Sequence, residues 1–209
     1  ELAKEFRRLN GKKMKAEVIL IGGASVLVNY GFRDMTYDVD AIINASSAMK
    51  EAANNVGDRL GLPSGWFNAD FVKTESYTPK LAQYSKYYKT FSNILEVRTI
   101  TAEYLIAMKL RSGRQYKYDL SDVVGIVAEQ RKRNEEIGIE KVKQAICELY
   151  ETYDSIPETS QIFLEALYKS DDLDAFYQMS RRKEAENREA LIEFEEDYPK
   201  VLNKDNLAE

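Results

Sequence analysis

The spacing of apolar and polar residues differs between the two halves of the chain. In the first half, short apolar runs typical of buried strands alternate with segments of helical spacing. Strands are predicted at residues 17–21, 37–43 and 93–100. Helices are predicted at residues 2–13, 24–32, 46–61 and 102–113, and a further helix is predicted to start near residue 118.

The second half has helical spacing throughout. Helices are predicted at residues 138–153, 157–170 and 173–198. The last of these is highly charged and has a thin apolar stripe, so we expect it to pack on a partner or along the domain surface. The pattern predicts an α+β fold, with a small mixed β-sheet core flanked by helices at residues 1–128 and an all-helical C-terminal region at residues 129–209.

The composition narrows the possible chemistry. The 209-residue chain has no histidine, which excludes Ser-His and Cys-His catalytic pairs and histidine-ligated zinc. Carboxylates that bind Mg²⁺ are the commonest remaining solution. Cys147 is the only cysteine, which excludes an internal disulfide and favours a reducing, cytoplasmic location. No apolar run approaches the roughly 18 residues of a membrane span, so we expect no membrane association.

Charge is distributed unevenly along the chain. Residues 1–128 contain 18 Lys and Arg against 14 Asp and Glu, a net charge of +4. Residues 129–209 contain 12 against 21, a net charge of −9. A mildly basic first half suits an anionic substrate such as a nucleotide or RNA, although acidic helix surfaces are also ordinary in globular proteins.

Two short features within VILIGGASVLVNYGFRDMTYDVDAII, residues 18–43, suggest a binding site. Gly22 and Gly23 lie between a predicted strand and a predicted helix, where backbone N–H groups can approach a phosphate and Ser25 can add a hydroxyl donor. Asp38 and Asp40 are two residues apart on a predicted strand, so they share a face with Cα atoms ~6–7 Å apart and can share a divalent cation. The alternatives are a plain tight turn and an exposed polar strand end.

This segment resembles the first motif of the nucleotidyltransferase superfamily, which has the polymerase-β-like fold. The resemblance implies that the glycine pair holds a triphosphate and that the aspartate pair binds Mg²⁺. With Arg33 and Thr36 ahead of the aspartates, the segment is most similar to the AbiEii-type branch of bacterial abortive-infection toxins. Residues 96–124, EVRTITAEYLIAMKLRSGRQYKYDLSDVV, are similar to the second signature of that branch. The resemblance covers roughly residues 17–127.

Other charged residues are candidates for the same site. Arg33 can neutralise the aspartates or bind a substrate phosphate. Lys109 lies in an otherwise apolar helical stretch, so it needs an anionic partner, such as a phosphate or a catalytic carboxylate, or a route to solvent. Asp119 and Asp122 share a face at a helix start, where acidic residues also stabilise the helix dipole. The resemblance implies that Asp119 acts as a positioner or base and that Asp122 supports nucleotide binding.

Three further features of the sequence each have two possible roles. Glu96 can complete a three-carboxylate metal site, or it can pair with Arg98 on a solvated face. Trp66 can stack on a base, but core packing is the more common role. The tyrosines and lysines of residues 77–89 can bind RNA, or they can form a surface segment made of a loop and a helix.

The favoured hypothesis is a Mg²⁺-dependent nucleotidyltransferase that moves a nucleotide from an NTP to an acceptor hydroxyl. The resemblance implies that the acceptor is a tRNA 3′ end or a protein side chain, and that the protein is a toxin with a cognate antitoxin. Two alternatives stay open: a transferase acting on a small molecule such as an antibiotic, and a non-catalytic module that binds a nucleotide or a partner.

Overall fold

Five strands form one mixed sheet within residues 1–11, 14–36 and 38–197, the parts of the chain described by this computed structural model. They are β1 (Ala16–Leu20), β2 (Val39–Asn44), β3 (Phe67–Asn68), β4 (Ser85–Phe91) and β5 (Leu95–Ile100), in the order β3-β2-β1-β5-β4. The central strand β1 is antiparallel to β2 and parallel to β5. The short strand β3 is parallel to β2, and the edge strand β4 is antiparallel to β5.

Eight α-helices surround this sheet in the described part of the chain, together with short 3-10 helices at Asp70–Lys73, Pro79–Tyr84 and Tyr153–Ser155. The α-helices are α1 (Leu2–Asn10), α2 (Gly22–Asn29), α3 (Ala48–Leu60), α4 (Ala102–Ser112), α5 (Asp119–Lys132), α6 (Ile139–Tyr150), α7 (Glu158–Lys169) and α8 (Leu173–Asp197). Gly61 and Gly113 end α3 and α4 in the left-handed conformation, as their positions in the sequence predict. Among the described helices, none is long and apolar enough to cross a lipid bilayer.

The predicted elements agree with this α+β architecture, and their bounds shift by a few residues. The helix predicted at 24–32 begins earlier, at Gly22, so the two glycines form its first turn. Parts of three predicted elements lie outside the described residues: Lys12 and Lys13 of the first helix, Tyr37 of the second strand and Tyr198 of the last helix.

Strand β4 was not predicted. Its sequence, SKYYKTF, lacks an apolar face, and all of its residues after Ser85 are exposed because β4 is an edge strand. Ser92, Asn93 and Ile94 join it to β5; Ser92 and Asn93 have positive φ angles of 50° and 55°, as the two central residues of a tight hairpin turn do, and Ile94 donates its N–H to the carbonyl of Phe91 at 3.1 Å. One interpretation of residues 77–89 was a surface segment made of a loop and a helix. That interpretation is wrong for residues 85–89, which belong to strand β4.

The sheet separates two hydrophobic cores. Val18 and Leu20 point to one face, where they pack with Phe6 of α1 and Met49 of α3. The opposite face carries Ile19 and is covered by α4, α5, α6 and α7. This alternation of side chains along β1 is what a central strand covered on both faces requires.

The predicted boundary at residue 128 falls inside α5. The larger core contains buried residues from both sides of that position, including Ile106 of α4, Ile126 of α5 and Ile146 of α6. Helix α8 packs along α5. Residues on both sides of the boundary thus share one core, and α8 joins this unit through α5.

Candidate active site

The glycine turn and the aspartate pair lie side by side at one end of the sheet. Ile21 follows β1 and donates its N–H to the carbonyl of Asp40 at 3.0 Å. Gly22 comes next, with a φ of +53°, and a Cβ added there would lie 3.8 Å from Asp40 Oδ2. The backbone at the start of α2 therefore closely approaches one of the two carboxylates.

Gly23 is required for the close approach of two neighbouring side chains. A Cβ added at Gly23 would lie 2.8 Å from both Arg33 Nη1 and Thr36 Oγ1. The Thr36 hydroxyl also donates to the carbonyl of Asp38 at 3.0 Å, which fixes the loop that leads into β2. The predicted residues Arg33 and Thr36 thus lie against the glycine turn.

Asp38 and Asp40 share this end of the sheet, with different exposure. Asp38 is exposed and Asp40 is half-buried. Burial and, after it, the negative charge of Asp38 raise the pKa of Asp40. Because the two carboxylates repel each other, a nearby cation would stabilise their ionised forms.

Lys109 is buried at the centre of an ion-pair network. Its Nζ lies 3.1 Å from Asp119 Oδ1 and 2.7 Å from Asp122 Oδ2. Arg33 Nη1 lies 2.8 Å from Asp122 Oδ2, and Arg114 Nε lies 2.8 Å from Asp119 Oδ2. Lys109 therefore has the anionic partner that the sequence requires, because it pairs with both aspartates at the start of α5.

The network keeps Lys109 and Asp119 charged. Burial alone would lower the pKa of Lys109, but the carboxylates of Asp122 and Asp119 outweigh it and raise that pKa. Burial opposes ionisation of Asp119, yet Lys109 and Arg114 lower its pKa to about 2. A carboxylate with this pKa and two cationic partners is a poor proton acceptor near neutral pH. Of the two roles considered for Asp119, positioning is the one that the geometry fits.

A cleft lies in front of these groups and consists of two adjoining pockets of about 250 and 280 Å³. The residues that line both pockets are Gly22, Asp38, Asp40, Lys109, Arg114, Lys117 and Asp119. Most of the predicted site residues therefore converge on one cavity. Its size and mixed polarity suit a small charged ligand.

The match to a known family gives the class of this site. A family model described as a nucleotidyltransferase of unknown function, DUF6036, matches residues 1–170. The chain belongs to this nucleotidyltransferase family. Searches of curated proteins and of solved structures found no match. The family match confirms the resemblance to nucleotidyltransferases; the AbiEii-type branch stays a prediction.

Two predicted residues of this nucleotidyltransferase lie away from the cleft. Ser25 is fully buried, and Asn29 Nδ2 donates to its carbonyl at 2.8 Å and to its Oγ at 3.4 Å. The structure therefore does not place the Ser25 hydroxyl where a phosphate in the cleft would lie. The N–H groups at the start of α2 are the donors that remain on this side.

Glu96 is the second of these residues, and the strand register places it away from the aspartate pair. It pairs with Glu17 across the β1–β5 ladder, whereas Asp40 lies opposite Ile21, four residues or ~13 Å further along β1. Because Glu96 and Asp40 also lie on opposite sides of β1, their Cα atoms are farther apart than this. Glu96 instead accepts a hydrogen bond from Arg98 Nη1 at 3.0 Å. Within the described ranges, no group of three or more Cys, Asp or Glu is placed to hold a metal ion.

Trp66 packs against α3. Its Nε1 donates to the carbonyl of Ala53 at 3.0 Å, and its ring lies against Gly57, where an added Cβ would be 3.0 Å from Nε1. Trp66 does not line the cleft. Of its two readings, packing is the one that the structure supports.

Sequence patterns missed the contribution of α8. Arg188 of α8 lines the cleft, and Glu184 Oε1 accepts hydrogen bonds from the backbone N–H groups of Leu120 and Ser121 at 2.9 and 3.2 Å. Burial raises the pKa of Glu184 to about 7, although these two bonds favour the ionised form. No motif links these residues to the site, because they come from a charged helix more than 60 positions away in the sequence.

Proposed function

We propose that this protein is a Mg²⁺-dependent nucleotidyltransferase that transfers a nucleoside monophosphate from an NTP to an acceptor hydroxyl. The observation that carries the proposal is the placement of Asp38 and Asp40 against the glycine turn at the start of α2 in one cleft. Carboxylates beside a helix N-terminus suit a metal-bound triphosphate, because the metal and the N–H groups contact its oxygens together. Family membership supports the same class of reaction.

The donor set of the cleft fits Mg²⁺. Mg²⁺ sites commonly use one or two carboxylates together with substrate phosphates and water, so Asp38 and Asp40 suffice without a third carboxylate. When bound, Mg²⁺ would neutralise the charge that develops on the phosphate oxygens. This hard, oxygen-preferring cation also suits a chain that lacks histidine.

The remaining residues of the cleft would bind and orient the reactants. The N–H groups at Gly22 and Gly23 would hold phosphate oxygens, and Arg114 and Lys117 would add positive charge. The buried pairs of Lys109 with Asp119 and Asp122 would keep Arg33 and Arg114 in place. In the reaction the acceptor oxygen bonds to the α-phosphorus, the bond from that phosphorus to the bridging oxygen breaks, pyrophosphate leaves and the acceptor proton passes to water.

The acceptor and the cellular role are proposed on the sequence resemblance. It implies a tRNA 3′ end or a protein side chain as acceptor and a toxin of the AbiEii type with a cognate antitoxin. The cations that line the cleft favour an anionic acceptor over a cationic antibiotic. A non-catalytic nucleotide-binding module is the remaining alternative.

A transfer assay tests this proposal. The protein is incubated with Mg²⁺, each α-labelled NTP in turn and total tRNA, total protein or a panel of aminoglycosides, and the label on each acceptor is measured. We expect label on one acceptor class with wild-type protein and none with the Asp38→Asn/Asp40→Asn variant. If no acceptor is labelled, or if the variant matches the wild type, transfer at this site is contradicted.

A further inference from the structure

The two pockets of the cleft differ in charge outside their shared lining. The pocket that contains Gly23 adds Arg33 and Arg188 to the shared lining, together with Asp122 and neutral residues such as Tyr118, and we call it the Gly23 half. The other pocket, which we call the Phe71 half, adds neutral residues and Asp70 but no further cation. The cleft therefore has a basic end, and that end also holds the first turn of α2.

The Gly23 half becomes positively charged only when α8 is counted. Without α8, the four cationic residues of its lining equal its four aspartates in number, and Arg188 adds one positive charge; the cationic residues are Arg33, Lys109, Arg114 and Lys117, and the aspartates are Asp38, Asp40, Asp119 and Asp122. Lys117 is exposed and makes no ion pair with another described residue within 4.0 Å. An anion in this half would therefore gain Coulomb energy from the net positive charge that Arg188 gives the lining and from nearby Lys117.

Helix α8 is fixed where it reaches this half. Glu184 Oε1 bonds to two backbone N–H groups at the start of α5, and Asn187 Nδ2 donates to the carbonyl of Gln115 at 3.0 Å. Residues 184, 187 and 188 lie on one face of a helix, so these bonds also orient Arg188. The Tyr118 ring supports the guanidinium of Arg188 at 5.1 Å and that of Arg181 at 3.7 Å.

We infer that Arg188, with Lys117, forms the subsite for the β- and γ-phosphates of the nucleotide. The inference rests on the proposed function, and it goes beyond the family match because α8 follows residue 170, where that match ends. With the α-phosphate at the aspartate pair, a phosphate tail directed toward Gly23 meets the N–H groups of α2 on one side and Arg188 on the other. A guanidinium suits this role because it can donate two parallel hydrogen bonds to phosphate oxygens.

The inference predicts selectivity between nucleotides that differ only in phosphate number. Dissociation constants are measured by isothermal titration with Mg²⁺ for the NTP that binds wild-type protein most tightly and for the matching NDP and NMP. Arg188→Ala should weaken NTP binding about tenfold or more and leave NMP binding within about twofold. Arg188→Lys should recover part of the lost NTP affinity, because it keeps the charge but not the bidentate geometry.

Arg182→Ala is the matched control, because Arg182 is an exposed arginine of the same helix that does not line the cleft. It should leave the affinities for all three nucleotides unchanged. The inference is overturned if Arg188→Ala binds the NTP as tightly as wild type, or if it weakens NMP and NTP equally. It is also overturned if Arg188→Lys, with a melting temperature equal to that of wild type, behaves as the alanine variant does. If wild-type protein binds no NTP at all, the proposed function fails first.

Discussion

The Lys109 ammonium nitrogen lies 2.7 Å from Asp122 Oδ2, and these side chains are only 4% and 2% exposed. Arg33 reaches the same carboxylate oxygen from the loop ahead of β2, at 2.8 Å. Asp122 therefore connects the segment that carries the glycines and aspartates to α4 and α5. Because this contact is buried, its loss should affect folding as well as the cleft.

Replacing Lys109 with methionine should strongly destabilise the protein. The change would leave two buried carboxylates with fewer cationic partners, and breaking a buried ion pair from one side costs roughly 3–5 kcal/mol. Urea denaturation at neutral pH measures the free energy of unfolding. Lys73→Met is the control, because Lys73 is 77% exposed and its pair with Asp70 should contribute less than about 1 kcal/mol. Equal small effects of both changes would contradict a structural role for the network.

Glu184 should make stability depend on pH. Burial raises its pKa in the folded protein to about 7, above the ordinary value of 4.5, so the folded state binds more protons than the unfolded state between these values. Glu184 therefore contributes on the order of 3 kcal/mol to the free energy of unfolding below about pH 4.5. This contribution is lost as the pH rises through about 7.

Glu184→Gln removes this ionisation and keeps an oxygen that can accept from Leu120 and Ser121. The melting temperature of the glutamine variant should therefore fall less than that of wild type between pH 5 and pH 8. Glu186→Gln, at an exposed position of α8, serves as the control and should follow the wild-type curve. Parallel curves for wild type and Glu184→Gln would show that Glu184 does not titrate in this range.

Replacing Gly23 with alanine should disturb the glycine turn. The new Cβ would lie 2.8 Å from Arg33 Nη1 and Thr36 Oγ1, so Arg33 must move away from Asp122. We expect about a tenfold loss of Mg²⁺–NTP affinity and a destabilisation of roughly 1–3 kcal/mol. Titration calorimetry and thermal melting measure these two effects. At Gly31 a Cβ has no atom within 4 Å, so Gly31→Ala should change neither value; similar results for both variants would refute the steric argument.

Local sequence patterns predicted those parts of the fold whose structure depends on a single short segment of the chain. Short-range spacing predicts the strand just ahead of Gly22, the helix that ends before Gly113 and the proximity of Asp38 to Asp40, which both line the cleft. Strand β4 was missed because an exposed edge strand needs no apolar face, and the sequence of its seven residues shows none.

Local sequence patterns could not predict which residues from distant parts of the chain lie near the cleft. Glu96 has a suitable side chain and lies on a strand of the same sheet, but the register between β1 and β5 places it at the far end from Asp40. Glu184 and Arg188 belong to a charged helix, and its packing on α5 brings Glu184 to the start of α5 and Arg188 to the cleft. Strand register and helix docking depend on the whole core, so no local motif specifies them.

The Mg²⁺ dependence of NTP binding tests the central claim most directly. The dissociation constant of the tightest-binding NTP is measured with Mg²⁺ and with EDTA for wild type, Asp40→Asn and Glu96→Gln. We predict that Mg²⁺ tightens binding to wild type and to Glu96→Gln by about tenfold or more and has little effect on Asp40→Asn, because Asp40 faces the glycine turn and Glu96 does not. Equal affinities with Mg²⁺ and EDTA in wild type, or an Asp40→Asn variant that responds to Mg²⁺ as wild type does, would contradict a metal–nucleotide site at Asp38 and Asp40.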